Sequence, residues 1–518
     1  MFFVTQKHRF FWTIKSTTMK KFLSIIIAGF SIATIQSQEI TDALRYSQDN
    51  LNGTARFRAM SGAFGALGGD LSSINVNPAG SAIFTNNQFG ATLSNYNSKN
   101  RSNYFGTQTS ENNTTFDLNQ AGAVFVFLND NTNSDWKKFT FAANYENTNN
   151  FDNSVFSAGV NPTNSIDSYF LNYANGLELG VVSGVDYAYG DLFFNEQQAY
   201  LGYQAYVINP VDENNLSNTS YLSNVAPGGN YYQENSFEST GYNGKLSFNA
   251  AAEYKDFLYL GINLNSHFTD YRQSTSFYEE NNNLSDQIRV NRLRFNNDIY
   301  TYGTGFSFQL GAIAKVTKEL RLGLSYDSPT WYRLNDELQQ SLVAVRSNAD
   351  GEFSPDIVDP QIIMVYETYK LQTPGKVTGS IAYIFGKEGL ISFDLGLKDY
   401  SGMSFRPKNQ FRDINNEMSN ILQNTVEYRI GAEKRIKQWS LRAGYRMEES
   451  PYKNTKIMGD LTGYSGGIGY NFGSTKLDLS YSHSKRDYQQ LFVSQGLTDA
   501  AKISSVTNNV SLTLLFEL

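Results

Sequence analysis

The sequence predicts an all-β protein: a 14-stranded antiparallel transmembrane β-barrel that closes on itself, with an N-terminal plug. Two observations predict the barrel. Many segments alternate between apolar and polar residues, and the intervals between these segments are alternately long and short. The composition agrees, because the 518 residues include 37 Phe and 34 Tyr, whereas only 18% are charged. Aromatic residues are enriched in strands.

The C-terminal residues show the clearest alternation. Val510, Leu512 and Leu514 are apolar, and Ser511 and Thr513 between them are polar. Because successive side chains of a strand point to opposite faces, this pattern puts one apolar row on one face. The same alternation predicts fourteen strands, at 88–97, 119–128, 137–147, 243–254, 257–268, 299–315, 319–328, 374–385, 389–400, 423–436, 439–448, 461–472, 475–488 and 507–518.

The intervals between these strands identify the kind of sheet. They contain 21, 8, 95, 2, 30, 3, 45, 3, 22, 2, 12, 2 and 18 residues, so long and short connections alternate throughout. Lipid offers no hydrogen bonds to a free strand edge, and a spanning sheet must therefore close. Barrels of the outer membrane have short turns at one rim and long loops at the other. The competing interpretation is a secreted sandwich or propeller, which would bury its apolar face against a second sheet.

Residues 19–37 have the organisation of a secretory signal peptide. A basic start at Met19 is followed by an apolar stretch that ends near Ile35, and this order is typical of a cleaved leader. The alternative, a transmembrane helix, needs a longer apolar stretch. We therefore expect a leader at 1–37, with residues 1–18 preceding the true start. Its removal takes away five basic residues and no acid, so the net charge falls from −7 to −12. Such a charge argues against nucleic acid as a partner.

The residues available for chemistry are few. There is no cysteine, which excludes thiol enzymes, zinc–thiolate sites and disulfide scaffolds. Of the three histidines, His8 lies in the leader, and His267 and His483 are expected at the barrel rim. The adjacency of Ser482 and His483 does not indicate a catalytic triad, because neighbours on a strand face opposite sides. Acidic pairs in the predicted loops lack the spacing of a calcium-binding loop. We expect no enzyme activity, no metal site and no cofactor.

Residues 38–87 do not alternate and form a region of their own. They contain the glycine-rich run Gly62 to Asp70, followed by Asn77-Pro78-Ala79-Gly80. Glycines permit close backbone approach and unusual dihedral angles. Since a ring of fourteen strands has an interior wide enough to need blocking, the region is predicted to be a compact plug, with a linker as the alternative.

The same residues resemble the FadL/TodX family of outer-membrane transporters for hydrophobic compounds. Supporting stretches lie at 323–329 and 373–383. The resemblance implies that residues 38–87 form a hatch inside the lumen. It also implies that ligands bind in a surface groove, pass to an inner pocket and leave sideways at a kinked strand. The third strand, at Ala142-Ala143-Asn144, is where the kink is expected. The implied ligand-binding or gating residues of the hatch are Phe64, Leu67, Asn77, Pro78, Ala79 and Gly80.

The barrel domain at 88–518 contains a large outer insertion at 148–242. An interval of this length is too long for a plain loop and is expected to have its own structure. Residues 168–174 and 196–208 are compatible with short helices. The candidate contacts to a ligand in an outer groove are Tyr200, Leu201, Tyr203, Tyr206 and Val207. The alternative is that these residues only pack the insertion against the barrel mouth.

The expected function is passive uptake of a small hydrophobic compound, such as a long-chain fatty acid or an aromatic molecule. The expected partners are the small hydrophobic ligand, outer-membrane lipid and lipopolysaccharide, and the barrel is expected to be a monomer. One alternative is a protein-docking or shuttle component of a secretion system, and another is an open diffusion porin. A continuous apolar tunnel would favour uptake, a sealed barrel with an apolar loop surface would favour docking, and a water-filled pore lined by both charge signs would favour the porin.

Overall fold

The structure, a computed structural model, describes residues 38–131, 133–283 and 285–518. The predicted leader at 1–37 lies outside the described residues. In the part of the chain that is described, no helix is both long and apolar enough to cross a membrane.

Fourteen long antiparallel strands of the described chain form one closed ring. Each strand pairs with the next one along the chain. The last strand pairs with the first, from Gln88 opposite Glu517 to Asn103 opposite Lys502, and this pairing closes the barrel. The strands are β1 (Gln88–Tyr104), β2 (Thr107–Leu128), β3 (Trp136–Asn150), β4 (Tyr231–Tyr254), β5 (Leu258–Glu280), β6 (Arg289–Lys315), β7 (Leu320–Asp327), β8 (Lys376–Ile384), β9 (Gly389–Asp399), β10 (Asn424–Ile436), β11 (Trp439–Glu448), β12 (Leu461–Asn471), β13 (Thr475–Gln490) and β14 (Ala501–Glu517). The predicted closed antiparallel barrel of fourteen strands is confirmed.

The barrel has an apolar outside and a polar inside. In β5, Leu260, Ile262 and Leu264 are 40–49% exposed, whereas Asn263 and Asn265 between and beside them are buried. The same arrangement holds in β14, where the apolar members of the alternation are exposed and the polar ones are buried. A β-sandwich would show the reverse, because it buries its apolar face against a second sheet. The sandwich interpretation is therefore wrong.

The two rims differ as the intervals predicted. Five tight turns, at 255–257, 316–319, 385–388, 437–438 and 472–474, lie between successive strands at one rim. The opposite rim carries the longer connections, including the insertion between β3 and β4.

Several strands, above all β2, β4, β5 and β6, continue well beyond the predicted spans. β6 has 27 residues, whereas a strand needs only about 9–11 residues to cross a membrane. The predicted interval of 21 residues between the first two strands does not exist as a loop, because β1 and β2 continue to a tight hairpin at Phe105-Gly106. The alternation that predicts a strand fades where both faces of the strand carry polar residues, as at 98–103, although backbone pairing continues there.

The outer end of the barrel carries the remaining elements outside the hatch. The predicted short helices of the insertion are present. They are α3 (Asp167–Ala174), α4 (Leu179–Val182) and α5 (Phe194–Gln204), with a 3₁₀ turn at Tyr189–Asp191. Outside the insertion, this end also carries α6 (Arg412–Ile421) and a 3₁₀ turn at Tyr400–Gly402. Further strands lie at Asn153–Asn161, Ile208–Pro210, Tyr221–Ser223, Trp331–Asn348, Gly351–Glu352, Asp356–Val358, Met364–Val365, Tyr369–Gln372 and Ser404–Arg406. The insertion is therefore folded on the barrel mouth, and its apolar core also includes residues of the wall and of other outer segments, such as Phe277, Phe295 and Leu342.

Residues 38–87, the hatch, run through the inside of the ring. They contain α1 (Ile40–Arg45), α2 (Ala55–Ala59) and two 3₁₀ helices, Leu71–Asn75 and Pro78–Ile83. Hydrogen bonds join the hatch to side chains of strands around the ring, including β3, β4, β5, β6, β9, β10, β12 and β14. Contacts in so many directions are possible only from within the lumen.

Glycines in the barrel wall make room for the hatch backbone. A Cβ atom on Gly261 of β5 would lie less than 3.0 Å from the carbonyl carbon of Pro78. A Cβ atom on Gly444 of β11 would come equally close to the backbone of Met60. Main-chain atoms cannot move aside as a flexible side chain can, so the wall requires glycine here. Equally close approaches to hatch atoms occur at Gly311, Gly323 and Gly431.

We predict that Gly261→Val destabilises the barrel and displaces the hatch. Forcing a branched side chain into a packed contact costs about 1–3 kcal/mol. The matched control is Gly379→Val in β8, where nothing lies within 4 Å of a Cβ atom. The free energy of unfolding in detergent should fall for the first variant only. Equal values for the two variants would contradict the proposed seating of the hatch.

Candidate functional site

One carboxylate organises the start of the hatch. The Thr54 hydroxyl caps α2 by accepting a hydrogen bond from the Phe57 amide at 3.2 Å, and it donates to Asp70 Oδ1 at 2.7 Å. The same Asp70 oxygen accepts a hydrogen bond from the Ser72 amide at 2.9 Å, at the start of the first 3₁₀ helix. Side-chain oxygens at these positions satisfy amides that the helix itself leaves free. Asp70 thereby joins two helical turns.

The glycine run lets the backbone turn and face the wall. Gly62 and Gly68 have φ angles of 78° and 63°, in the left-handed region that favours glycine. Between them, the amides of Phe64 and Gly65 both donate to Asp394 of β9, at 2.9 and 3.0 Å. The run therefore anchors the hatch to the wall through its backbone.

Asn77 links three parts of the molecule through one amide group. Its Oδ1 accepts a hydrogen bond from the Ala79 amide at 3.1 Å and caps the second 3₁₀ helix. Its Nδ2 donates to the carbonyl oxygen of Gly65 at 2.7 Å and to that of Ala312 in β6 at 3.0 Å. Because Asn77 is only 1% exposed, water cannot replace these bonds.

The other hatch residues named from the sequence also make internal contacts. Phe64 and Leu67 are buried in one apolar cluster, and Ala79 lies in another. The Pro78 carbonyl oxygen accepts a hydrogen bond from Asn249 of β4 at 2.9 Å. The Gly80 carbonyl oxygen accepts one from the Gly69 amide at 3.0 Å. The six named hatch residues line neither of the two cavities described next, and in this structure they hold the hatch together and to the wall.

Two cavities lie in the lumen beside the hatch, and most of the residues that line each of them are polar. The first has a volume of about 210 Å³, and Arg58, Arg446 and Arg486 are among the residues that line it. The second has a volume of about 150 Å³, and Lys245 and Asp327 are among its lining residues. Neither is the continuous apolar tunnel that uptake of a hydrophobic compound would favour.

Residues 46–52 of the hatch separate the two cavities. Gln48, Asn50 and Asn52 line both of them. The segment is held by Lys398 of β9, which pairs with Asp49 at 3.1 Å. A packed cluster of apolar side chains from the hatch, the wall and the segments at the outer end also lies near this part of the hatch. We call this the inner apolar layer, and it consists of Ala43, Leu44, Tyr46, Phe151, Tyr271, Tyr332, Leu334, Tyr369, Leu371, Tyr400, Met403, Phe405, Phe411, Met418, Leu422 and Tyr452.

The five outer-loop candidates are close in sequence but differ in their surroundings. Leu201 and Val207 are completely buried in the core of the insertion, and Tyr200 and Tyr203 pack against that core. Only Tyr206 is well exposed, at 44%, and the guanidinium carbon of Arg346 lies 3.9 Å from the centroid of its ring. None of the five lines either lumenal cavity. A common apolar groove formed by these residues is therefore not part of the observed geometry.

The comparisons with known proteins were made for both sequence and structure. No protein-family model matches the sequence, and no curated protein matches it either. The structure is similar to a crystal structure of a FadL homologue from Pseudomonas aeruginosa, with a TM-score of 0.52 and 13% identity, covering 91% of this chain and 99% of that one. It is also similar to the toluene transporter TodX of Pseudomonas putida, with a TM-score of 0.51 and 14% identity, covering 90% and 99%.

The chain has the fold of the FadL-type channels. The likeness extends over almost the whole length of each of these structures. At such low identity the likeness concerns the fold, and the ligand has to be argued from this chain's own residues.

In the FadL-type fold, the third strand was expected to kink at residues 142–144. The structure shows no break there, because Ala143 of β3 pairs with Ala123 of β2 on one side and with Phe248 of β4 on the other. The irregularity nearest to this point is a register shift of β3 against β4 between Asn147 and Asn149. The expected position of the kink is therefore wrong.

Backbone pairing between β2 and β3 ends higher up, at Gln120 opposite Glu146. Beyond this point the contact consists of side chains. Asp117 accepts hydrogen bonds from Asn147 at 3.1 Å and from Asn150 at 2.9 Å. We call this part of the wall, from Gln120 and Glu146 outward, the β2–β3 seam. An opening of this seam would break no backbone pairing between β2 and β3.

His267 and His483, the two histidines of the described chain, contact different groups. His267 lies within β5 rather than at the rim, is 8% exposed, and lies 2.8 Å from the Ser307 hydroxyl. The prediction of a rim position for it is wrong, because β5 continues well past residue 268. His483 lies 2.9 Å from Asn508. The described residues contain no group of three or more His, Asp or Glu side chains that could hold a metal ion.

Sequence reasoning missed the three arginines of the first cavity. Arg446 stands in the polar row of β11, together with Arg442, so the parity of the strand already indicated a position inside the lumen. Arg58 carried no such signal, because residues around it do not alternate. Only the folded hatch brings Arg58 and Arg446 to the same cavity.

We predict that Asn77→Ala loosens the hatch. The change leaves the carbonyl oxygen of Gly65 and the Ala79 amide without partners inside the protein, at a cost of about 1–3 kcal/mol. The measurement is the free energy of unfolding, together with the rate of proteolysis within residues 54–83. The matched control is Asn416→Ala on the exposed side of α6, which should change neither value. Unchanged proteolysis in Asn77→Ala would contradict the linking role.

We predict a pH-dependent effect of Asp70→Asn. Burial raises the pKa of Asp70 above its usual 3.8, although Arg56 opposes the shift, and its Oδ2 has no hydrogen-bond partner. A raised pKa means that the fold favours the neutral acid, so its contribution to stability is lost as the pH rises through the folded pKa. The asparagine variant keeps the side-chain oxygen that accepts the hydrogen bonds, and it stays neutral at every pH.

The stability of Asp70→Asn relative to the unchanged protein should therefore increase from about pH 4 to pH 8. Thermal unfolding at several pH values measures this difference. Asp298→Asn, at an exposed position, provides the control with no such trend. A constant difference across the range would show that Asp70 carries the same charge in the folded and unfolded states.

Proposed function

We propose that the protein is an outer-membrane channel for passive uptake of small hydrophobic compounds, such as long-chain fatty acids or aromatic molecules. The observation that carries the proposal is the FadL-type barrel with its lumen filled by a hatch. A hatch blocks free diffusion of ions and sugars, and leaves a route only for solutes that the protein binds and releases. The similar structures, a FadL homologue and a toluene transporter, support this class of ligand.

The outer surface of the barrel supports a location in the outer membrane. Exposed aromatic side chains lie at or beside the tight-turn rim, as in the interfacial girdles of outer-membrane barrels. They are Trp136, Phe257, Phe385, Trp439 and Phe472, each 39–64% exposed. Above them lies the exposed apolar band of β5 and β14. In the proposed orientation the tight turns face the periplasm and the insertion faces outward.

Capture of the ligand is proposed to begin on the insertion. Val185, Tyr187 and Phe193 are 55–66% exposed on this unit, and apolar side chains of this size attract apolar solutes from water. Tyr206 of the same insertion is 44% exposed, although the Arg346 guanidinium group lies against its ring. Among the five named candidates it is the one whose exposure suits direct contact with a ligand.

Release is proposed to occur sideways, through the β2–β3 seam, with the hatch in place. The hatch backbone sits on wall glycines and is hydrogen-bonded to strands around the ring, so a movement along the barrel axis would break many buried contacts at once. The cavities on the hatch are polar, which disfavours an apolar solute there. Opening the seam would break only side-chain hydrogen bonds between β2 and β3, which Asp117 and Thr115 accept from Asn147 and Asn150.

A second candidate function is protein docking, as in a shuttle component of a secretion system. The observation that favours it is a set of strongly exposed apolar residues at the outer end, including Ile357 at 70%, Val365 at 67% and Val185 at 66%. Exposed apolar patches often mark binding surfaces for proteins. A docking barrel would retain a bound protein through purification, whereas a channel would retain a small apolar compound that mass spectrometry can identify.

The basic test is uptake by vesicles that contain the purified protein. Labelled oleate and toluene should enter faster than in vesicles without protein, while planar-bilayer conductance stays close to zero because the hatch fills the lumen. Gly261→Val, which displaces the hatch, should raise the conductance. Absence of uptake for both compounds would contradict the channel, and high conductance of the unchanged protein would favour an open porin.

We predict that a cross-link between hatch and wall leaves uptake unchanged. The Ser61 and Ser465 hydroxyl oxygens are 2.8 Å apart, so the double variant Ser61→Cys with Ser465→Cys places two sulfurs within reach of a disulfide. The chain has no other cysteine to interfere. Uptake in the oxidised and reduced states should agree, with each single variant as a control. Loss of uptake on oxidation would show that the hatch has to move.

The counterpart is a cross-link that restrains the seam. Ser102 of β1 and Ser157 of the strand Asn153–Asn161 have hydroxyl oxygens 2.6 Å apart, and the backbone of that strand also contacts Thr109 of β2. The double variant Ser102→Cys with Ser157→Cys should lower uptake severalfold when oxidised and restore it when reduced. Equal uptake in both states would contradict sideways release, although the channel function would stand.

A further inference from the structure

A buried arginine of the hatch has no acidic partner. Arg58 is 3% exposed. Its Nη1 donates to Asn52 at 3.3 Å, its Nη2 donates to Ser482 at 3.4 Å, and its Nε has no partner. No Asp or Glu oxygen of the described chain lies within 4.0 Å of this guanidinium group. A buried guanidinium normally faces a carboxylate or another anion, because leaving its charge uncompensated is costly.

Two more arginines increase the positive charge around the same cavity. Arg446 and Arg486 reach one carboxylate, that of Glu448, at 3.1 and 3.9 Å. Arg429 approaches the same carboxylate at 3.9 Å. The Nε atom of Arg486 is a further buried donor without a partner. Burial and the charge of Arg446 lower the pKa of Arg58 to about 10, which is consistent with an excess of positive charge at this place.

The cavity that these arginines line suits a small and polar occupant. Its volume is about 210 Å³, below the ~300 Å³ at which pockets for drug-sized ligands begin. It would hold roughly seven water molecules at about 30 Å³ each. Hydroxyl groups of Tyr96, Ser484, Ser505 and Thr507 also belong to its lining residues. Guanidinium and hydroxyl donors together are the groups that bind oxyanions.

We propose that this cavity is a binding site for a small free oxyanion, such as sulfate or phosphate, held by Arg58, Arg446 and Arg486. The anion would balance the charge of Arg58 and accept hydrogen bonds from the unpartnered Nε atoms of Arg58 and Arg486. Because Arg58 belongs to the hatch and the other two to β11 and β13, a bound anion would tie the hatch to the wall. The site goes beyond the proposed uptake of apolar compounds and stands without it.

The test is calorimetric titration of the full mature chain in nonionic detergent with sodium sulfate and sodium phosphate, at an ionic strength held constant with chloride. The expected result is saturable binding with one anion per chain. Binding should be about tenfold weaker in Arg58→Gln and in Arg486→Gln, since each loses a charge-assisted hydrogen bond. Arg272→Gln, which removes a cation exposed by 61%, should bind like the unchanged protein. Absence of saturable binding, or equal binding by Arg58→Gln, would overturn the proposal.

Thermal unfolding provides a second measurement, in which the unchanged protein itself should respond to the anion. A ligand that binds only the folded protein raises the unfolding temperature as its concentration rises. Sulfate should therefore stabilise the unchanged protein more than chloride does, and should lose this advantage in Arg58→Met. An equal response of the two proteins to sulfate would contradict a site at Arg58, and an absence of any response would mean that water alone fills the cavity.

Alkyl sulfates, used below their critical micelle concentration, distinguish a site for a free anion from a site for the head group of an amphiphile. For a small free anion, octyl sulfate should bind no tighter than methyl sulfate, because the polar walls offer no room for a chain. Much tighter binding of octyl sulfate, with none of inorganic sulfate, would make the cavity a site for the head group of an amphiphile and would overturn the proposal for a free anion.

Discussion

A peptide group that faces lipid has no water with which to form hydrogen bonds, and each unpaired group there costs several kcal/mol. This constraint explains the pairing of β1 with β14 over almost their full lengths. Once the sheet is closed, every strand has two neighbours, and side chains divide into an outer and an inner set by parity alone. The apolar band, the polar lumen and the room for a hatch all follow from that closure.

The polar lumen in turn determines how the hatch can be held. A segment inside such a ring meets hydroxyl, amide and carboxylate groups as well as small apolar clusters, so hydrogen bonds and local packing fix it together. Asp394 binds two hatch amides, and Asn77 reaches the backbone of β6. Glycines of the wall bring the two backbones close enough for these bonds. The hatch is thus an integral part of the barrel, held to the wall by hydrogen bonds and close backbone contacts.

The sequence predicted the membrane-spanning parts well because lipid enforces the alternation there. Leu260, Ile262 and Leu264 could be assigned to the outer face of a strand from their spacing alone. Farther out both faces of a strand carry mostly polar residues, the alternation fades, and residues 98–118 looked like a loop although they form a hairpin. His267 was misplaced for the same reason. The glycine run of the hatch stood out by composition, whereas its contacts with Gly261 and Gly311 depend on which strands happen to surround it.

The lumenal cavities could not be predicted, since they arise from residues far apart in the chain. Arg58 comes from a segment without periodicity, and its neighbours Arg446 and Arg486 come from two strands near the other end of the sequence. The expectation of an apolar inner pocket came from the resemblance and not from these residues. Local patterns report on the solvent that each residue faces, and they contain no information about which distant charges meet.

The length of β6 has a consequence for where the protein meets its surroundings. Its 27 residues, at about 3.4 Å each, extend over about 90 Å along the strand, and a tilt of about 45° still leaves a height of about 65 Å. A hydrocarbon layer is only about 30 Å thick. In the proposed orientation, with the tight turns at the inner surface, the mouth would stand well clear of the acyl chains. A molecule from the medium would then touch protein before it reached the hydrocarbon layer.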